Sequence, residues 1–215
     1  MKNKKSILKP AVIAAAALMI FTGSTYSYLT DYDTADNDFT IGKVTIDLEE
    51  PNWKPEENKS LTPNSEVAKD PQIVNTGIND SYVYLEVSIP RAVVATADTA
   101  GNRKDATLTD LFSFDASKKW TLLNTTQTNE AVTYFYAYNE ILKPGKTTSP
   151  LFEKVKFVNL IEGQMDGETI TIPLHAYAIQ SANTGDNKET VPEQAEAAYA
   201  KYLKQNPPQS TSDKD

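Results

Sequence analysis

The sequence contains no cysteine. That excludes disulfides, thiol catalysis, Cys-ligated zinc and lipid attachment through an N-terminal Cys. An exported protein without Cys must be stable through its core alone. Histidine is nearly absent: His175 is the single one in 215 residues. Zinc hydrolases generally hold their metal with several His, as in two His at i and i+4 with a Glu base, and one His cannot supply that set. With 8 Gly and 12 Pro, the chain is neither collagen-like nor of low complexity. There is no Gly-x-Ser-x-Gly elbow, no Gly-rich phosphate loop and no apolar run of membrane length. Basic charge is short as well. Four of the 21 Lys and Arg (Lys2, Lys4, Lys5 and Lys9) lie at the N-terminus, leaving 17 against 29 Asp and Glu and a balance of −12. Nucleic acid and anionic lipid are poor partners for such a chain, because binding phosphates needs clustered cations.

What the N-terminus does contain is an export signal. A basic stretch from Lys2 to Lys9 precedes eleven apolar residues, Ala11 to Phe21. That run is too short to span a bilayer and suits the apolar part of a signal peptide. Small residues follow at Thr25 and Ser27, which places cleavage between Ser27 and Tyr28. The C-terminus carries no hydrophobic tail and no LPxTG sorting motif, so the expected product is secreted, released or held noncovalently, without stable membrane insertion.

Period-two alternation dominates the rest. Val83, Leu85, Val87 and Ile89 share one face of a predicted strand ended by Pro90, and Tyr82, Tyr84, Glu86 and Ser88 share the other. Ile170 to Ala178 alternates similarly around Pro173. Val44, Ile46 and Leu48 alternate in one phase and Phe39 and Ile41 in the other, with a kink expected at Gly42. Pro71–Asn75, Lys119–Leu123, Val132–Tyr138 and Phe152–Leu160 read as further strands, separated by turn signals at Asn75-Thr76-Gly77, Lys143-Pro144-Gly145 and Asp166-Gly167. Short helices are expected at Ala106–Phe112 and after Thr190-Val191-Pro192-Glu193, a capping box with Pro in the first turn. Ala195, Ala198, Tyr199 and Tyr202 fall on one face of the latter helix. The fold class is therefore all-β: a jelly-roll-like antiparallel β-sandwich with short helices, a C-terminal helix and a disordered tail. The organisation expected is a signal peptide (1–27), a mature N-terminal segment (28–40), a sandwich domain (41–182), a linker and helix (183–204) and a disordered tail (205–215).

Several motifs resemble a known family in order along the chain. Ser27-Tyr28-Leu29-Thr30-Asp31 resembles signals cut by a SipW-type signal peptidase. Phe39 to Ile46, Val74-Asn75-Thr76-Gly77 running into Tyr82–Val87, Leu142-Lys143-Pro144-Gly145 and Ala176 to Gln180 resemble the conserved core segments of the TasA/camelysin group of Gram-positive bacteria. The resemblance implies a jelly-roll sandwich, export through a cognate peptidase, and kinship with the fibre-forming proteins of biofilm matrix, in which an N-terminal segment of one subunit completes the sheet of the next.

The function expected is a non-enzymatic structural subunit of an extracellular fibre, partnered by itself or by a related matrix protein. The candidate donor strand runs from Tyr28 to Ile41, with Tyr28, Leu29, Tyr32, Phe39 and Ile41 as anchors. Val44 to Leu48 is expected to pair in its own sandwich and Tyr28 to Asp38 to stay free for a neighbour. Tyr-rich faces such as Tyr82 and Tyr84 are candidate interfaces. No cofactor is expected. His175 reads as a strand residue rather than a ligand, Glu49/Glu50 and Glu56/Glu57 as solvated acids, and Asp31, Asp33, Asp36 and Asp38 as a solvated stretch lacking the Gly and Glu of an EF-hand Ca²⁺ loop. Two alternatives stand beside the fibre: a camelysin-type surface metalloprotease, and a monomeric adhesin or fibre-accessory protein.

Overall fold

The computed structural model describes residues 30–34, 37–41, 44–54 and 61–206. The signal peptide with Ser27, Tyr28 and Leu29, the kink at Gly42 and the last nine residues lie outside them. The largest sheet holds β1 (Thr30–Thr34), β2 (Asn37–Ile41), β6 (Ser81–Val94), β9 (Trp120–Gln127), β10 (Ala131–Tyr138) and β12 (Leu174–Gln180). Their spatial order is β2-β1-β12-β6-β10-β9, with β7 (Thr107–Asp110) paired to the far end of β6. A smaller sheet orders β4 (Glu66–Ala68), β11 (Lys154–Phe157) and β8 (Phe112–Ser113), and β3 (Ile46–Glu49) pairs with β5 (Gln72–Asn75). Every pairing is antiparallel. This is the expected all-β, jelly-roll-like sandwich, closed by one described helix, α1 (Val191–Gln205).

β6 organises the packing. Val83, Leu85, Val87 and Ile89 are buried in one cluster with Val44, Ile46, Ile73, Val155 and Phe157. Burying each such side chain stabilises by about 1.5–3 kcal/mol. The opposite face of β6 is buried too. Tyr82 and Tyr84 join Phe135, Ala137 and Ile179 beneath Ala195 and Ala198 of α1. Tyr84 Oη donates to Ala195 O at 2.7 Å and Tyr82 Oη to Gln194 Oε1 at 2.9 Å. The Tyr199 ring lies 4.4 Å from that of Phe135, centroid to centroid. The expectation of an exposed Tyr face at Tyr82 and Tyr84 is thus corrected: the helix covers it. Both reciprocal bonds of the predicted capping box are present at Thr190 and Glu193. The linker returns close to the sheet at Gly185, where a Cβ would lie 2.6 Å from Tyr82 Oη.

Three other expectations fail for backbone reasons. Pro90 does not end β6, which runs on to Val94. Ser88 N–H donates to Pro173 O on the β12 side, and Arg91 N–H to Glu130 O on the other. By alternation, the N–H that Pro90 lacks would face Leu111, whose carbonyl accepts from Val158 N–H instead. Pro90 O accepts there from Leu111 N–H. The predicted helix at Ala106–Phe112 is instead β7 and β8. The overhang of β6 offers an unpaired ladder, β-branched Thr107 and Thr109 favour extended backbone, and Arg91 Nε donates to Asp110 Oδ1 at 2.8 Å across the pair. Alternation at Ile170–Ile172 likewise yields no strand; β12 begins only after Pro173.

The two turn motifs meet in the core. Asn75 is fully buried; its Nδ2 donates to Asn79 O and Leu142 O, and its Oδ1 accepts from Gly77 N–H. Gly145, at φ 70°, donates its N–H to Asn75 O. Asn75→Ala should therefore remove three hydrogen bonds, at about 0.5–1.5 kcal/mol each, read as a lower urea midpoint. Burial raises the Tyr84 phenol well above its ordinary value, with Tyr82 and Tyr199 adding to it, and raises Tyr82, Tyr136 and Tyr199 in the same direction. A raised folded value stabilises fully below the unfolded one and is lost as pH climbs past it. Stability should hold up to about pH 10 and fall above it, and Tyr84→Phe should flatten that fall in pH-dependent urea unfolding.

Candidate functional site

The N-terminal segment lies on the edge of the large sheet. β1 pairs with β12 through five registered positions, Thr30↔Ile179 to Thr34↔His175, and Tyr32 stands opposite both Tyr177 and Phe39. Ile41 pairs with Thr30, which makes β2 the outermost strand. The expectation that this stretch stays off its own sandwich is met by a different arrangement: its described part completes its own sheet. β12 supplies the reason. Leu174, Ala176, Ala178 and Ile179 are buried, so an uncovered β12 would present unpaired N–H and C=O groups along an apolar strand.

His175 sits in the same place. It faces Glu86 across the β12–β6 ladder, with Nδ1 3.1 Å from Glu86 Oε1, and both side chains are partly exposed. Of the sequence-level acids, Asp33 and Asp38 are register partners across β1 and β2, Asp31 stands opposite Thr40, and Asp36 lies outside the described residues. Glu50 does not face a second carboxylate; Lys69 Nζ lies 2.7 Å from its Oε1 and 4.9 Å above the Trp53 ring. Glu56 and Glu57 lie outside the described residues.

One feature had no clear sequence signal. A cleft of about 1030 Å³ opens between the small sheets and the segment before β12, lined by Leu48, Trp53, Leu61, Phe157, Met165 and Ile172 among others, with Glu162, Asp166 and Glu168 also on its wall. Ile170 and Ile172, predicted as strand, serve as its partly buried wall.

A family model described as Camelysin metallo-endopeptidase matches residues 2–134. No curated protein matches the chain, and no solved structure does. That description implies a metal ion, and the donors do not fit one. The chain has one His and no Cys. His175 Nδ1 faces the Glu86 carboxylate, and no group of three or more His, Asp or Glu among the described residues could hold an ion. The purified chain, equilibrated with zinc and dialysed, should retain well under one ion per molecule by elemental analysis, with no difference in His175→Ala; stoichiometric zinc lost in that variant would contradict this assignment.

Proposed function

The chain belongs to the camelysin metallo-endopeptidase family, and we propose that it serves there as a structural subunit: an exported protein that builds an extracellular fibre through its N-terminal segment, Tyr28–Ile41. The observation that carries the reading is the placement of β1 and β2 at the outer edge of the large sheet, where five registered pairs hold β1 on the apolar strand β12. A strand held only at an edge can also pair with an open sheet edge of a neighbour, and backbone hydrogen bonds then supply affinity. Cleavage between Ser27 and Tyr28 by a SipW-type peptidase would free the segment. Partners are further copies of this chain or a related matrix protein. No helix among the described residues is long and apolar enough to cross a membrane.

The family description keeps a hydrolytic reading in view, and the large cleft is the place a peptide would enter. Casein cleavage abolished by chelator would favour it. For the structural reading, the chain from Tyr28 onward should form filaments of regular width in negative stain. Deleting Tyr28–Asp38 should leave a folded monomer that unfolds cooperatively in urea and forms no filaments. Normal filaments from the deletion would rule out the N-terminal segment, and a persistent monomer of the undeleted chain would point to an adhesin or accessory role.

A further inference from the structure

The large sheet has a second open edge, and its composition sets it apart. β9 is eight residues long, and residues 120–129 contain no charged side chain. The other described strands that end a sheet are shorter and each carries an acid: Asp38 in β2, Glu66 in β4, and Asp47 and Glu49 in β3, apart from β8 and β5, which are two and four residues long. Proteins blunt edges with charges, Pro or short strands, because an unpaired edge templates pairing. β9 has none of these. It does have a bulge: Phe135 pairs with Asn124 and Tyr136 with Leu122, so Leu123 is extra. Beyond it, residues 124–127 pair regularly with β10, and Thr128 N–H donates to Ala131 O. That straight run of five matches the length of β2. In it Thr125 N–H takes the neighbouring Asn124 Oδ1, as a group facing away from the ladder would.

Strand directions supply the partner. Six strands alternate along the path from β2 to β9, each antiparallel to the next. With an even count, the two outer strands run in opposite directions. A second copy displaced along the sheet without being turned over therefore brings its β2 antiparallel to β9.

We propose that β9 is the receiving edge for the β2 strand of a second copy, so that successive subunits continue one antiparallel sheet. The proposal rests on the N-terminal segment being the assembling element and adds where that segment lands. The contact is head-to-tail and does not close, so it propagates.

The test uses the chain from Tyr28 onward with Leu122→Lys and Thr125→Lys together. Both side chains are exposed, so the urea midpoint should match the parent. The critical concentration for filaments, measured by sedimentation, should rise at least about tenfold, the equivalent of ~1.4 kcal/mol per contact. Mixing this variant with the Tyr28–Asp38 deletion should give a 1:1 complex by light scattering, since one retains the donor and the other the acceptor, while neither forms filaments alone. Filaments from the lysine variant at the parent's concentration would overturn the β9 assignment and leave the N-terminal reading standing. Loss of filaments without a 1:1 complex would overturn it too, because the edge would then meet some other surface. Filaments from the deletion alone would remove the N-terminal reading and this one with it.

Discussion

β6 is buried on both faces, and the architecture follows from that requirement. A strand with Val83, Leu85 and Val87 on one side and Tyr82 and Tyr84 on the other cannot sit in a two-layer fold with a wet outer face. It needs a cover on each side. The small sheets provide the first. The second comes from the far end of the chain, where α1 is brought back through the close approach at Gly185 and anchored by phenol hydrogen bonds. The helix is short enough that its own propensity would leave it marginal in water, so its stability comes from the aromatic surface it covers.

A second constraint ties the turns. Asn75 satisfies backbone groups from two separate loops while its own main chain closes on the Lys143–Lys146 turn. A side chain of this kind rewards one geometry and penalises the rest, because a buried amide left half-bonded costs more than it returns. The Asn-Thr-Gly and Leu-Lys-Pro-Gly motifs, more than sixty residues apart, are therefore two halves of one joint. Their role here is to hold that joint.

Much of this was legible in the residues. Strands rich in β-branched and aromatic residues, such as Val132–Tyr138, are where the pattern placed them. The capping box at Thr190 was readable because its signal is local. The failures share a cause: each depended on a distant partner. Pro90 is harmless because the Leu111 carbonyl opposite it takes Val158 N–H, and Ala106–Phe112 is extended only because β6 overhangs its neighbours. The burial of Tyr82 and Tyr84 required knowing which face α1 would choose. At the candidate site, the docking of the N-terminal segment on β12 was not readable, since Thr30–Thr34 carries no apolar alternation that names a partner.

The placement of α1 has a consequence for any sheet extended edge to edge. The helix lies on one face of the large sheet and the small sheets on the other. Copies added without being turned over all present their helices to the same side. The product is a two-sided ribbon: one surface a row of helices, the other a row of small sheets bearing the cleft beside Trp53. Because its terminal strands also differ, β2 at one tip and β9 at the other, such a ribbon has direction. A molecule matching only one of those tips would decide where growth begins and leave the other free to lengthen.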